Sequence, residues 1–204
     1  MTGRSEVHGF RKLHGLGIAV VVLLLAAAAS PFSASGADDA KAKEKARADI
    51  RKMEKETLSR LYKAQPQART AVEKAAGYAV FSNFGMKIFV AGGGSGKGVA
   101  VSNATKNATY MKMVEVQAGL GIGIKKFRLV WVFENRKDLD AFINSGWELG
   151  GQTTAAAQAS GQGAAFAGAM SIAPGVWLYQ LTDDGLALEL TAKGTKYYRD
   201  GDLN

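Results

Sequence analysis

The segment Gly77–Phe133 carries most of the information about the fold, and it reads GYAVFSNFGMKIFVAGGGSGKGVAVSNATKNATYMKMVEVQAGLGIGIKKFRLVWVF. Its short apolar runs are rich in valine and aromatic residues, and glycine, asparagine or serine bounds each of them. Such runs predict antiparallel strands joined by tight turns, with no room for a long helix. The predicted strands are Tyr78–Phe81, Ile88–Ala91, Val99–Val101, Tyr110–Val116 and Phe127–Phe133.

The first glycine cluster, Gly92–Gly98, reads GGGSGKG and looks like a phosphate-binding loop. It fails that template, because Ala91 stands at the leading glycine and Gly98 replaces the Ser or Thr that would hold magnesium. We therefore predict a glycine turn between two strands.

The second cluster comprises Gly119, Gly121 and Gly123, which are spaced by two. Residues two apart on a strand share a face, so this strand has one face without side chains. We predict that a backbone or an aromatic ring packs closely there, and a ligand groove is the alternative.

Residues 1–37 have the features of an export signal peptide. A basic start at Arg4, Arg11 and Lys12 precedes an apolar run of 14 residues, Leu16–Ala29, which is short for a membrane span. Pro31 ends the run, and Ser35-Gly36-Ala37 offers small residues for cleavage. An uncleaved N-terminal anchor is the alternative.

The residues that the chain lacks restrict its chemistry. It has no cysteine, and both histidines, His8 and His14, lie in the predicted signal. A lipoprotein anchor, Cys–His and Ser–His–Asp nucleophilic sites and the usual zinc sites are therefore excluded for the exported chain. We predict no catalytic residue, no metal and no cofactor.

The positive charge is concentrated after the signal. The full chain carries +8, and residues 38–74 hold 11 basic and 7 acidic residues, against 12 and 10 in residues 75–204. Asp38 and Asp39 suit a helix start. Ile50, Met53 and Leu61 recur at helical spacing and predict a docked helix. The predicted lipid-binding residues surround that stripe, and they are Lys41, Lys43, Lys45, Arg47, Arg51, Lys52 and Lys55.

This basic helix has two compatible interpretations. It docks on the sheet through its apolar stripe, or it also attracts an anionic surface, where each basic residue adds on the order of 1 kcal/mol. Acidic residues within the helix dilute that attraction and can form i,i+4 pairs instead. Nucleic acid is not an expected partner, because export removes the chain from it.

The remaining elements follow Phe127–Phe133, whose two apolar faces predict a central strand. Asn135 is predicted to cap a short helix that packs through Leu139, Phe142 and Ile143 and that Gly146 ends. Val176–Leu181 and Leu186–Leu190 predict a hairpin around Asp183-Asp184-Gly185. The uncharged run 151–171 predicts either thin strands or a lipid-facing surface. Two Asn-Ala-Thr triplets, at 103–105 and 107–109, are predicted turns.

Five motifs in this order resemble the SYLF domain family. They are Gly77-Tyr78-Ala79-Val80-Phe81, Gly96-Lys97-Gly98, the Phe127–Phe133 strand, Ser145-Gly146-Trp147-Glu148-Leu149-Gly150 and Gly194-Thr195-Lys196. The resemblance covers roughly residues 45–200. It implies a lipid-binding module, with actin binding in eukaryotic members, and no enzyme activity. It also implies that an N-terminal amphipathic helix takes part in binding acidic lipids.

These observations together predict one α+β domain over residues 38–204. Helices in a basic region, 38–76, pack on a strongly curved, barrel-like antiparallel sheet in the glycine-rich region 77–204, with one short inserted helix. The predicted function is binding of anionic phospholipid at a membrane surface of the cell envelope, periplasmic or extracellular. The alternatives are a protein-interaction module of the envelope and an enzyme that uses carboxylates such as Glu148, Asp183 and Asp184.

Overall fold

The computed structural model describes residues 34–88, 91–118, 123–149, 166–183, 185–187 and 195–204. The fold lies in the compact unit Ser35–Asn204. The predicted signal lies almost wholly outside the described residues, so its prediction is untested. The same holds for Gly119 and Gly121, and for most of the uncharged run 151–171.

The described residues form three helices and nine strands. The helices are α1 (Ala34–Ala64), α2 (Gln67–Lys74) and α3 (Arg136–Ser145). The strands are β1 (Gly77–Ile88), β2 (Ala91–Ser102), β3 (Ala108–Ala118), β4 (Gly123–Phe133), β5 (Trp147–Leu149), β6 (Met170–Ala173), β7 (Val176–Thr182), β8 (Gly185–Ala187) and β9 (Thr195–Arg199).

One antiparallel sheet contains all of these strands. Its order is β5-β9-β3-β2-β1-β4-β7-β6, and β8 pairs with β7. Consecutive hairpins build β1–β2–β3, and β4 then returns to the free edge of β1. The sheet curls strongly into a half-barrel, which confirms the predicted α+β class and the curved sheet.

Helix α1 lies across the strands rather than along them, and it is docked as predicted. Ile50 and Leu61 are buried against the sheet, at 4% and 0% exposure. Polar contacts follow the strand order along the helix. They are Arg47 to Leu203, Glu54 to Tyr78 on β1, Glu56 to Arg128 on β4, and Arg60 to Thr182 on β7.

Side chains alternate between the two faces of the sheet. On the face that α3 covers, the α3 face, an aromatic cluster contains Phe81, Trp131, Phe133, Phe142 and Tyr197. On the face that α1 and α2 cover, the α1 face, the core is mainly aliphatic, with Val80, Val130, Val132, Leu61 and Val72, and it contains one fully buried ring, Tyr179. Strand β4 is buried on both faces, which confirms the predicted central strand.

The glycine turn predicted for Gly92–Gly98 is wrong, because these residues lie within β2. Gly98 is opposite Phe81, and a Cβ at Gly98 would overlap that ring. A Cβ at Gly96 would lie 2.6 Å from Cγ of Met113. The glycines therefore make room for large neighbours on the α3 face. Likewise, Tyr78–Phe81 and Ile88–Ala91 were predicted as separate strands, whereas one strand, β1, runs from Gly77 to Ile88.

The predicted start of α1 is wrong, whereas both predicted ends of α3 are confirmed. The predicted start at Asp38 is wrong, because α1 already begins at Ala34. The predicted cap of α3 is confirmed, since Asn135 Oδ1 accepts a hydrogen bond from the backbone N–H of Asp138 at 3.0 Å. Gly146 ends α3 with a φ of +73°, a conformation that favours glycine.

Two other predicted turns are confirmed, whereas the turn predicted at 107–109 is wrong for Ala108 and Thr109, which begin β3. In the hairpin of β7 and β8, Thr182 lies opposite Gly185. Asn103 lies in the turn between β2 and β3, where its Nδ2 donates to the carbonyl oxygens of Val72 and Ala75 at 2.7 and 2.9 Å. The second turn therefore also holds the end of α2 against the sheet.

Candidate functional site

The basic charge of the N-terminal helices is unevenly placed along them. Residues 38–50 contain four basic and four acidic residues and are balanced, whereas residues 51–74 contain seven basic and three acidic residues. The whole local excess of positive charge therefore lies in the second half of α1 and in α2. Four of the seven predicted lipid-binding residues lie in the balanced half.

In that balanced half, the predicted cations have different surroundings. Lys41 and Lys43 are exposed, and Lys45 pairs with Asp49 at 2.9 Å. Arg47 is half-buried, and its Nε–H donates to the carbonyl oxygen of Leu203 at 2.9 Å. Its guanidinium also lies 5.9 Å from the ring centroid of Tyr110. Arg47 thus holds the end of the chain against α1.

Arg51 is a structural cation. It pairs at 2.8 Å with Glu54, whose side chain is only 3% exposed. The hydroxyl of Tyr78 donates to the other oxygen of Glu54 at 2.8 Å. Burial and the Glu54 charge raise the pKa of Tyr78 well above its usual value. A variant that lacks Arg51 would leave a buried carboxylate without its cation, and its stability would fall for a reason unrelated to binding.

Lys52 and Lys55 are the last two predicted residues. Lys52 is 4.0 Å from Glu56, which also contacts Arg128 at 3.6 Å. Lys55 is exposed and has no ion-pair partner among the described residues. Of the seven predicted residues, only Lys55 therefore combines exposure with the positively charged half of the helices and with an unpaired ammonium group.

Lys55 lies at the edge of a groove of about 510 Å³ between α1 and α2, which we call the helix-pair groove. Its other lining residues are Leu58, Ser59, Tyr62, Lys63 and Arg69. Lys55, Ser59 and Lys63 are spaced by four and form one stripe on α1, because residues four apart share a helix face. Pro66 separates α1 from α2, which brings Arg69 to the opposite side of the groove.

Tyr62 is the aromatic residue of this groove. The Arg69 guanidinium stacks at 4.6 Å from its ring centroid and also pairs with Glu73 at 3.6 Å. Burial, with a smaller effect of Glu73, raises the pKa of Tyr62 to about 12, so its hydroxyl is neutral at physiological pH. The groove thus combines cations, an aromatic ring and the aliphatic side chain of Leu58.

The sequence analysis did not include Lys63 and Arg69 among the binding residues. The sequence pattern does indicate Lys63, since Lys63 continues the i,i+4 spacing from Lys55. No sequence pattern indicates Arg69, because its position in the groove depends on the angle between α1 and α2. In contrast, the carboxylates considered for catalysis are separated along the sheet order, with Glu148 on β5 and Asp183 after β7.

Two further properties of the described residues bear on partners. No group of three or more acidic, histidine or cysteine side chains in this part of the chain is arranged to hold a metal ion. Among the helices within the same residues, none has the length and apolar composition needed to cross a bilayer.

Comparisons with known proteins identify one matching family and one similar protein. Residues 114–204 match the family described as "Ysc84: Las17-binding protein actin regulator". The chain is also similar to a protein named Beta cell expansion factor A, from Aeromonas veronii, with 35% identity over 167 residues. The alignment covers 80% of this chain and 60% of that protein, so the chain spans about 60% of its relative's length.

The matched family is the one that the sequence motifs resemble, and the similar bacterial protein is a member of it. It is a family of binding domains rather than of known enzymes. The five ordered motifs and both matches point to the same family. Residues 114–204 of this chain therefore form a match to the SYLF domain family, which the motifs of the whole chain resemble.

Proposed function

We propose that this protein is a non-enzymatic binding domain of the cell envelope that associates with anionic lipid surfaces through the helix-pair groove. The observation that carries the proposal is the groove itself. Lys55 and Lys63 are exposed cations without ion-pair partners among the described residues, and they flank Leu58 and Tyr62. The match to a family known for lipid and actin binding supports it.

The side chains in the groove suit the boundary between water and lipid. An anionic surface attracts each nearby basic residue by on the order of 1 kcal/mol. A tyrosine ring and an aliphatic side chain bury apolar area at the headgroup level, and the tyrosine hydroxyl stays hydrated. Cations that already pair with a carboxylate contribute less to the free energy of binding, because binding only exchanges one anion for another.

The first half of α1 lacks this excess charge. Asp38, Asp39 and Glu44 are exposed beside Lys41 and Lys43, so an anionic surface is attracted and repelled there to a similar extent. The seven residues predicted from the sequence are thus proposed to contribute unequally, with Lys55 contributing most.

The test is co-sedimentation with vesicles of phosphatidylcholine and phosphatidylglycerol. The variant Lys55→Gln/Lys63→Gln removes two charges from the groove, and Lys41→Gln/Lys43→Gln removes two charges from the other half of the same helix. We expect about thirtyfold weaker binding for the first variant, from two charges at about 1 kcal/mol each, and less than about threefold for the second. Both losses should shrink at high salt, because exposed charges are screened over about 10 Å at 0.1 M.

Equal losses in the two variants would show that net charge, and not the groove, determines binding. The alternative function, a protein-interaction module of the envelope, is favoured by the matched family's description as a Las17-binding protein. It predicts that the unmodified protein binds no vesicles at any salt concentration, and that crosslinking in the envelope recovers a protein partner.

A further inference from the structure

A second basic site lies on the α1 face of the sheet, apart from the helix-pair groove. It is a pocket of about 360 Å³, near the lower end of the range of small-molecule sites, about 300–1,000 Å³. Strands β1, β2, β3 and β9 supply its lining residues, and no residue of a helix is among them. The lining residues are Ser82, Ser95, Gly96, Lys97, Lys112, Met113, Val114 and Tyr198.

Four of these side chains form one row across the sheet. Ser82 lies opposite Lys97, Lys97 lies opposite Lys112, and Lys112 lies opposite Tyr198. The neighbouring row on the same face contains Val80, Val99 and Tyr110, which pack under the N-terminal helices. The polar row therefore begins where the cover of the helices ends.

Two lysines directly opposite each other on neighbouring strands repel, which destabilises the sheet unless anions compensate the charges. Of the two lysines, only Lys112 has carboxylates beside it among the described residues. Nζ of Lys112 lies 2.9 Å from Oδ1 of Asp200 and 2.9 Å from Oδ2 of Asp202. Lys97 is exposed and has no ion-pair partner among the described residues. The pocket thus contains one cation that is not neutralised.

The pocket offers donors without matching acceptors. The hydroxyls of Ser82 and Ser95 have no hydrogen-bond partner in the part of the chain that the structure describes, and neither has the ammonium of Lys97. None of the described residues that line the pocket carries a carboxylate. A ligand that fits must therefore supply several acceptor oxygens and negative charge. A phosphate monoester supplies three oxygens and a charge of about −1.5 to −2 at neutral pH.

The exposed carboxylate of Asp202 pairs with Lys112, which lines this pocket, and lies near further lysines. Asp202 is 77% exposed, on the turn that follows β9. The hydrogen bond from Lys112 lowers the pKa of Asp202, and the charges of Lys112, Lys43 and Lys97 add to this effect. Three lysines from α1, β2 and β3 therefore act on one anion. An anion that entered the pocket would experience the same lysines and the opposing charge of Asp202.

We propose that this pocket binds the phosphoryl group of a phosphate monoester, with Lys97, Ser82 and Ser95 as donors and Asp202 as a competing anion. The exposed side chains of Val114 and Tyr198, at 40% and 36%, border it with apolar surface. The same chemistry is found in a free phosphate ester and in a monoester lipid headgroup. The site is independent of the helix-pair groove, because the two share no lining residue.

The experiment is a titration of the protein with glycerol 3-phosphate. Binding is monitored by NMR, through the backbone amide chemical shifts of residues 95–98 and 111–114. Lys97→Gln should weaken binding about tenfold, as expected for the loss of one hydrogen bond to a charged group. Asp202→Asn should tighten binding about two- to fivefold, the range of one exposed charge pair. Lys137→Gln, on the exposed side of α3, makes the same charge change as Lys97→Gln and should have no effect.

A second arm separates the two sources of the phosphoryl group. Vesicles with phosphatidic acid, a monoester, are compared with vesicles of equal charge that contain phosphatidylglycerol, a diester. A lipid ligand predicts that Lys97→Gln reduces binding to phosphatidic acid more than to phosphatidylglycerol. A free ligand predicts no difference in this arm and a full effect in the glycerol 3-phosphate titration.

Two results would overturn the proposal. One is that the unmodified protein shows no saturable shifts with glycerol 3-phosphate and no preference for phosphatidic acid. The other is that Lys97→Gln and Lys137→Gln behave alike in both arms. Neither result affects the proposal for the helix-pair groove, which depends on phosphatidylglycerol vesicles and on Lys55 and Lys63.

Discussion

The two faces of the sheet are built differently from the same strands. On the α3 face, the rings of Phe81, Trp131, Phe133, Phe142 and Tyr197 pack with centroids 4.9 to 6.3 Å apart. On the α1 face, a long charged helix crosses the strands and buries a carboxylate, Glu54, at 2% exposure. Both basic sites, the helix-pair groove and the sheet pocket, lie on the α1 side.

The difference suggests a division of roles, in which the α3 face mainly stabilises the fold and the α1 face leaves charged positions open for binding. A short helix, α3, needs only Leu139 and Phe142 to close a cluster of large rings, because rings bury much apolar area per residue. Helix α1 is longer than the apolar surface that it covers. Its remaining positions carry charges that face solvent, and no helix residue lines the pocket around Lys97 and Lys112 among the described residues. Three substitutions test this division, ordered from the largest expected effect.

The largest effect is expected on the α3 face, for Phe142→Ala. Phe142 is fully buried and packs against Phe81, Trp131, Phe133 and Tyr197. Removing the ring leaves a cavity between rigid neighbours, so we expect the free energy of unfolding to fall by about 3–5 kcal/mol in a urea titration. The exposed neighbour Asn144→Ala serves as the control and should change it by less than about 0.5 kcal/mol. A similar small loss for Phe142→Ala would mean that the cluster is loosely packed.

A smaller loss is expected for Gly98→Ala, also on the α3 face. The added Cβ would overlap the Phe81 ring and the Val80 carbonyl oxygen, and a backbone atom cannot move aside easily. We expect a loss of about 1–3 kcal/mol from overpacking. Gly201→Ala is the matched control, since nothing lies within 4 Å of its Cβ. The control measures the effect of the substitution on the unfolded chain. Equal stabilities of the two variants would contradict the close contact.

The smallest effect is expected on the α1 face, for Tyr179→Phe. The Tyr179 hydroxyl is buried and has no hydrogen-bond partner among the described residues, so its removal should leave stability at neutral pH within about 0.5 kcal/mol. Burial raises the pKa of Tyr179 from 10.0 to about 12.

The sign of the pH effect follows from that shift. The folded state favours the neutral hydroxyl, so this contribution is complete below pH 10 and is lost as the pH rises toward 12. The variant should therefore lose less stability than the unmodified protein between pH 9 and pH 11, as measured by urea midpoints. Parallel losses in the two proteins would show that the Tyr179 hydroxyl reaches water in the folded state.

Much of the fold was predictable because it depends on local patterns. The alternation in Phe127–Phe133 predicted a strand with two buried faces, and Asn135 and Gly146 marked the ends of α3. The apolar stripe with Ile50 and Leu61 predicted that α1 docks on the sheet. The resemblance to the SYLF family also came from the sequence, because it depends on ordered motifs alone.

The length of the strands was not predictable from local pattern. Gly92–Gly98 looks like a turn by composition, and only the pairing with β1 shows that the large side chains of Phe81 and Met113 need glycine opposite or beside them. A glycine in a strand and a glycine in a turn are identical in sequence. What distinguishes them is the neighbour across the sheet, which lies far away along the chain.

Residues 38–204 are basic, lack cysteine and histidine, and place helices before a glycine-rich sheet, and all of this can be read from the sequence. Which of the cations are free depends on folding. Arg51 and Lys55 differ little in sequence context, yet Arg51 pairs with a carboxylate that Tyr78 of β1 holds, and Lys55 faces an open groove. Charge and periodicity are properties of the chain, whereas pairing depends on groups that folding brings within hydrogen-bond distance.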